Sequence, residues 1–130
     1  MSQELIKSFP GALVPIQTQL ETLPENTPFT FINTVVLPSA DDEQPFLAQW
    51  AKGARQMKSS DGLISAQMYR GCPDEKNHVF VLVVVWESVG AFQAAFNKTE
   101  FQDKLSGFPD GTRKFHLMAT KIAVQGVCTT

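Results

Sequence analysis

The 130-residue sequence has few of the residues and motifs on which familiar enzyme chemistries depend. It contains two cysteines, Cys72 and Cys128, which are too few for a disulfide framework and have no partners at metal-ligand spacing. Glycine-rich phosphate loops, the GxSxG nucleophile motif and the HExxH zinc motif are absent. The sequence therefore predicts free thiols and lacks the usual signatures of nucleotide, serine-hydrolase and zinc chemistry.

Runs of like charge and long apolar segments are also lacking. Eleven basic and thirteen acidic residues give a net charge of -2, and neither sign forms a run that could follow a phosphate backbone or an anionic membrane. The N-terminal sequence "MSQELIKSF" is unlike a signal peptide, and no apolar run is long enough to cross a bilayer. We therefore expect a cytoplasmic, single-domain protein that binds neither nucleic acid nor membranes.

Prolines divide the chain into an arm and a domain. Pro10, Pro15, Pro24 and Pro28 interrupt the first 28 residues at a spacing that prevents a long helix or strand. We expect residues 1–28 to form an N-terminal arm that packs on the domain, and residues 29–130 to form that domain.

The domain alternates between strand-like and helix-like segments. Four segments have the composition of strands: 29–37, 63–71, 79–86 and 112–127. Cap residues predict a helix after Ser39, with Trp50 on its core-facing stripe, and a second helix after Ser88 that carries Phe92 and resumes after Thr99. The resulting βαββαβ order predicts an α+β fold, with a four-stranded antiparallel sheet and both helices on one face.

The third predicted strand, "VFVLVVVW" (79–86), is apolar on both faces. Two helices can cover only one face of the sheet, so a second row of four apolar side chains needs another cover. Burying such a row is worth at most roughly 6 to 12 kcal/mol, at about 1.5 to 3 kcal/mol for each side chain. We therefore predict a homodimer in which two sheets face each other across a closed, largely apolar interior.

Several short motifs resemble the antibiotic biosynthesis monooxygenase (ABM) family over roughly residues 29–127. They are "FIN" in the first strand, a helix that ends near a glycine, and "WES" (Trp86 to Ser88) followed by "AF". The resemblance implies a ferredoxin-like protomer that forms a dimeric α/β barrel. It does not specify the reaction, because the superfamily includes cofactor-free quinone-forming oxygenases, haem-degrading oxygenases and members without an established activity.

The chain departs from both catalytic branches of the superfamily. In the quinone-forming oxygenases, an asparagine stands four residues before the WES tryptophan and a tyrosine six residues after it; Leu82 and Phe92 occupy these positions here. In the haem-degrading branch, Asn33 matches a first-strand asparagine, but Ala95 and Leu105 replace the second tryptophan and the haem-ligating histidine. The sequence therefore still predicts the apolar cavity of the family. A haem-degrading oxygenase is the least favoured of the alternatives.

Three residues are candidates for a catalytic role. Asn33 is an amide in an apolar row, where an unpaired amide costs about 1 to 3 kcal/mol, so it either bonds within the protein or meets a ligand. His116 shares a parity with Met118 and Ile122 and is either a general base or a hydrogen-bonded histidine under the arm. Trp86 is either catalytic or an aromatic of the core or dimer interface.

The resulting hypothesis is a cofactor-independent monooxygenase that acts on a small electron-rich aromatic such as an anthrone, phenol or hydroquinone. His116 would be the base and Asn33 the oxyanion donor, with Phe31, Leu82 and Trp86 as stacking walls. The competing hypothesis is a non-catalytic barrel that binds a small aromatic or apolar molecule, or that serves only as a structural dimer.

No cofactor or metal is expected on this hypothesis. The chain has two histidines far apart in sequence and no phosphate-binding turn for a flavin or nicotinamide. His78, which follows a polar turn, is expected to be a solvated residue at a strand end, and Trp50 is expected to be structural.

Overall fold

A four-stranded antiparallel sheet lies at the centre of the protein. The computed structural model describes residues 14–97 and 108–129. The strands are β1 (Phe29–Leu37), β2 (Leu63–Arg70), β3 (His78–Trp86) and β4 (Arg113–Ala119), in the spatial order β2-β3-β1-β4. The helices are α1 (Ile16–Thr22), α2 (Glu43–Lys58) and α3 (Val89–Phe96), and a short 3-10 turn (Ala40–Asp42) precedes α2.

This topology confirms the predicted α+β, ferredoxin-like protomer. β1 pairs with β3 and with β4, β2 pairs with β3, and every pairing is antiparallel. Helix α2 connects β1 to β2 and helix α3 connects β3 to β4, and both helices pack on the same face of the sheet. The chain's alternation of strand and helix signals is therefore sufficient to specify the topology.

Both predicted helix starts have the expected side-chain caps. The Ser39 hydroxyl accepts a hydrogen bond from the Asp41 N–H (3.2 Å) ahead of α2, and the Ser88 hydroxyl accepts one from the Ala91 N–H (3.1 Å) at α3. Each serine satisfies a first-turn N–H that has no partner within the helix. The predicted continuation of the second helix after Thr99 lies outside the described residues.

The fourth strand is shorter than predicted. β4 ends at Ala119, which pairs with Thr30 near the beginning of β1. Beyond that point β1 offers no further partner, so the chain turns into an exposed segment with one isolated bridge between Val124 and Cys128. Ile122 is 71 % exposed and does not continue the row of His116, as the sequence pattern had indicated.

The helix-covered face carries two clusters of buried side chains. One surrounds Phe31, Trp86 and Phe92, in which Phe92 makes edge-to-face contacts with Phe31 (centroids 5.3 Å apart) and Trp86 (5.6 Å). The other surrounds Val35 and Phe46. The even-numbered row of β3, from Phe80 to Trp86, faces the helices and contributes to both clusters.

The opposite face of the sheet has no covering element within the described part of the chain. It carries the odd-numbered valines of β3, from Val79 to Val85, which are half-buried. Leu117 on β4 is 51 % exposed and Tyr69 on β2 is 56 % exposed. This uncovered face is the second apolar row that the sequence of β3 predicts.

The buried side-chain amide of Gln19 hydrogen-bonds helix α1 to the edge strand β4. Gln19 donates from Nε2 to the carbonyls of Val14 (2.7 Å) and His116 (3.2 Å), and its Oε1 accepts from the Met118 N–H (2.6 Å). The side-chain amide thus takes the place of a neighbouring strand's peptide group. It provides hydrogen-bond partners for the His116 carbonyl and the Met118 N–H on the open edge of β4, which would otherwise lack them.

The expectation that His78 is solvated is wrong. His78 is 8 % exposed, and its Nδ1 lies 3.0 Å from Glu43 Oε2. The other Glu43 oxygen lies 3.2 Å from the Arg70 guanidinium. The beginning of α2 covers this end of the sheet, which removes His78 from water and connects the helix to β2 and β3.

Candidate functional site

A cavity of about 280 Å³ lies between the sheet and the helices of one chain. All four strands and all three helices of the described structure contribute to its lining, which is largely apolar. Gly53 and Ala54 on α2 face it, and these small residues leave space between the helix and the sheet. This cavity lies within one chain, and the predicted interior between the sheets of two copies stays a prediction.

The floor of the cavity includes a row of four residues that crosses the whole sheet. Met68 on β2 is opposite Leu82 on β3, Leu82 is opposite Asn33 on β1, and Asn33 is opposite His116 on β4. All four line the cavity. The row is apolar at the β2 end and polar at the β4 end, so the cavity has one chemically distinct side.

Asn33 and His116 each present an unsatisfied polar atom. Asn33 Oδ1 and His116 Nδ1 are buried and have no hydrogen-bond partner among the described residues. Residues directly opposite in an antiparallel pair have Cβ atoms about 4.5 to 5.5 Å apart, close enough for both side chains to contact one small molecule. Because an amide carries an acceptor and a donor, Asn33 can offer either to a ligand by rotation.

The surroundings of His116 favour its neutral form. Burial lowers the pKa of His116, and the positive charge of Lys114 lowers the pKa further. A neutral imidazole has one unprotonated nitrogen, which can accept a proton. The ring also lies against Phe31, with centroids 5.7 Å apart. The neutral form of His116 is thus favoured at the polar side of a largely apolar cavity.

Lys114 is a cavity residue that the sequence analysis did not single out. It lies two residues before His116 on the same face of β4, and its Nζ is 3.7 Å from the centre of the Phe108 ring. Burial lowers the pKa of Lys114. Its parity with His116 is the signal that could have identified it.

The structure brings together four of the five predicted site residues. Phe31, Asn33, Leu82 and His116 line the cavity. Trp86 is outside the described lining: it is 0 % exposed, packs behind Phe92, and its Nε1 has no hydrogen-bond partner among the described residues. Trp50, which was expected to be structural, faces the cavity and is half-buried.

The described residues show neither a metal-binding cluster nor a membrane-spanning helix. Residues 14–97 and 108–129 contain no group of three or more His, Cys, Asp or Glu side chains placed to hold a metal ion. Of the helices described, none is sufficiently long and apolar to span a bilayer.

Sequence comparison identifies the family. The profile of the antibiotic biosynthesis monooxygenases matches residues 28–104, more than half of the chain. The chain belongs to this family. The match begins one residue before β1 and includes the WES segment, as the resemblance in the sequence implies. No curated protein matches the chain in a direct sequence search.

Solved structures of similar fold come from several bacteria. SnoaB, a cofactor-independent oxygenase from Streptomyces nogalater, superposes with a TM-score of 0.65 at 18 % identity, over 77 % of this chain and 98 % of its own. A protein of Shewanella loihica has a TM-score of 0.61 at 20 % identity, over 75 % and 97 % of the two chains. A protein of Pseudomonas aeruginosa has a TM-score of 0.56 at 15 % identity, over 76 % and 100 %. At these identities, the comparison shows a common fold.

Proposed function

We propose that the protein is a cofactor-independent monooxygenase that oxidises a small electron-rich aromatic compound in the cavity under its helices. The observation that carries this proposal is the pairing of Asn33 with His116, which each have an unsatisfied buried polar atom and line the same largely apolar cavity. Membership of the family supports a monooxygenase, and the fold shared with the cofactor-independent oxygenase SnoaB supports oxidation without a cofactor.

The chemistry requires a base, a donor and a substrate that supplies electrons. Neutral His116 removes the acidic proton of a phenol, hydroquinone or anthrone, and the Asn33 amide donates a hydrogen bond to the resulting oxyanion. The electron-rich anion then reduces dioxygen. At an open para position of a phenol, or at the methylene of an anthrone, one oxygen atom forms the new quinone carbonyl and the other leaves as water. In a hydroquinone, the oxygen atom adds to a free ring carbon, and the products are a hydroxyquinone and water. The substrate provides all four electrons, so no further reductant is needed.

The apolar walls position the ring and limit its size. Phe31 and Leu82 line the cavity beside the polar pair, and Phe92 lies behind Phe31. We propose that Trp86 acts indirectly, by holding Phe92 in place. A volume of about 280 Å³ is just below the range of about 300 to 1,000 Å³ found for drug-sized ligands, which favours a small aromatic substrate.

Oxygen uptake tests the proposal. Purified protein in metal-free buffer should consume oxygen with at least one member of a panel of hydroquinones, naphthols and anthrones, and His116→Phe should abolish the uptake. Lys121→Met, a change at an exposed residue outside the described cavity lining, is the matched control and should retain full activity. An absence of uptake with the entire panel would contradict the proposal.

A non-catalytic binding protein is the second candidate. The observation that favours it is the presence of Leu82 and Phe92 in the cavity, where the quinone-forming oxygenases resembled by this sequence carry polar residues. A protein of this kind would bind aromatic compounds with no uptake of oxygen. Calorimetric binding measured beside the oxygen electrode separates the two functions.

We also propose that the uncovered face of the sheet forms a homodimer interface. The central row of this face consists of Gln67, Val83, Ile32 and Leu117, which are opposite one another across the four strands. Exposed apolar surface of this extent on a sheet usually marks an interaction site. The dimeric α/β barrel implied by the family resemblance would bury this row against its own copy.

A further inference from the structure

Lys114 places a positive charge in a cavity that otherwise has none. Its Cα partner on β1 is Val35, and its neighbour on the same face of β4 is His116. Among the described residues that line the cavity, Lys114 is the one lysine, and arginine, aspartate and glutamate are not represented. The other described lining residues are apolar or uncharged. His116 belongs to this uncharged set because burial favours its neutral form.

No described carboxylate neutralises this lysine. The ion pairs found in residues 14–97 and 108–129 both involve Glu43, with Arg70 at the end of β2 and His78 at the beginning of β3. Lys114 instead has its ammonium group over the face of Phe108, at 3.7 Å from the ring centre. An aromatic face attracts a cation but compensates only part of the loss of water.

We propose that Lys114 is a specificity-determining residue that binds a carboxylate on the ligand, so that the substrates are hydroxylated aromatic acids and not neutral phenols. The lysine and His116 are two residues apart on one strand, which places their Cα atoms roughly 7 Å apart. This separation is comparable to the breadth of one aromatic ring with its substituents. A hydroxyl at His116 and a carboxylate at Lys114 can therefore belong to the same small molecule.

The placement of the ligand's hydroxyl at His116 rests on the proposed function. The placement of the ligand's carboxylate rests on Lys114 alone. A charge-assisted hydrogen bond in an apolar site is among the stronger polar contacts available to a ligand. The same lysine would gain the counter-charge that the described protein does not supply. Binding of an acid should therefore be distinguishable from binding of its neutral ester.

The test compares 4-hydroxybenzoate with methyl 4-hydroxybenzoate, two probes that share a ring and hydroxyl but differ in charge. Dissociation constants for both are measured by calorimetry at pH 7.5 with the full chain. The wild type should bind the acid about tenfold more tightly than the ester. In Lys114→Met the ratio should fall to about one, while Lys114→Arg and the control Lys121→Met should keep the preference.

Each result decides for or against the carboxylate. Equal or tighter binding of the ester by the wild type, binding of neither probe, or a preference that survives in Lys114→Met would overturn the inference. If circular dichroism shows that Lys114→Met is unfolded, the test rests on the ratio of the two dissociation constants in the wild type and in Lys114→Arg. Oxygen uptake is recorded separately, with the panel of hydroquinones, naphthols and anthrones. A preference for the acid probe without uptake on that panel retains this inference and removes the monooxygenase, and uptake on the panel with the ester probe favoured does the reverse.

Discussion

Asn33 and His116 lie directly opposite each other on β1 and β4, and each has a buried polar atom without a hydrogen-bond partner in the described structure. Such atoms usually find partners in folded proteins, because each unpaired one costs about 1 to 3 kcal/mol. Two of them on one cavity wall support the proposal that this polar pair meets a ligand.

Asn33→Leu should separate stability from function. The leucine has a similar size and removes an unsatisfied polar group, so the free energy of unfolding should stay unchanged or rise by about 1 kcal/mol. Loss of an oxyanion donor should lower kcat by about 10² to 10³. Urea denaturation and oxygen-uptake kinetics measure the two effects. A loss of 2 kcal/mol or more in stability would show that Asn33 is bonded within the protein.

The pH dependence of catalysis should report His116. A base is active when it is deprotonated, and burial, with a smaller contribution from Lys114, lowers the pKa of this histidine below the ordinary value of about 6.5. We therefore expect kcat/KM to remain level as the pH falls through 6.5 and to decline only below it. Lys114→Met removes the repelling charge, so the pKa of His116 should rise and the decline should move to higher pH. An identical profile in this variant would mean that another group controls the acid limb.

Gln19 should stabilise the protein at the strand that carries His116. Gln19→Ala leaves the His116 carbonyl and the Met118 N–H without their partner, so we expect a loss of about 1 to 3 kcal/mol in the free energy of unfolding. Hydrogen exchange at the Met118 amide should also accelerate. Gln17→Ala on the exposed side of α1 removes only a surface contact with Glu21 and should change stability by about 0.5 kcal/mol or less. Equal effects of the two changes would refute the role of Gln19.

Val83→Asp should dissociate the proposed dimer. Val83 lies in the middle of the uncovered face, between Ile32 and Gln67, and a carboxylate there would be buried without a partner in the interface. Sedimentation equilibrium should give about twice the 14.4 kDa chain mass for the wild type and the chain mass for the variant. Circular dichroism controls for unfolding. A wild type that sediments as a monomer at micromolar concentration would contradict the dimer.

Local signals in the sequence are sufficient for the elements and their order. The predicted first strand has the bounds of β1, Phe29–Leu37, because Pro28 and Pro38 flank a run of β-branched and aromatic residues. The Ser88 cap predicts the beginning of α3 for a similarly local reason. The apolar character of both faces of β3 also follows from its sequence, since alternate residues of a strand point to opposite sides.

The tertiary structure decides how these elements combine into a site. Strand register places Asn33 opposite His116 and brings Lys114 into the same cavity, and register depends on pairing between residues about 80 positions apart in the chain. The packing of α2 and α3 decides that the cavity lies within one chain and that Trp86 belongs to the core. In the same way, the partner strand sets the end of β4, and the approach of Glu43 buries His78. Composition and periodicity carry information about neighbours along the chain, whereas a cavity and its polar groups arise from contacts between distant segments.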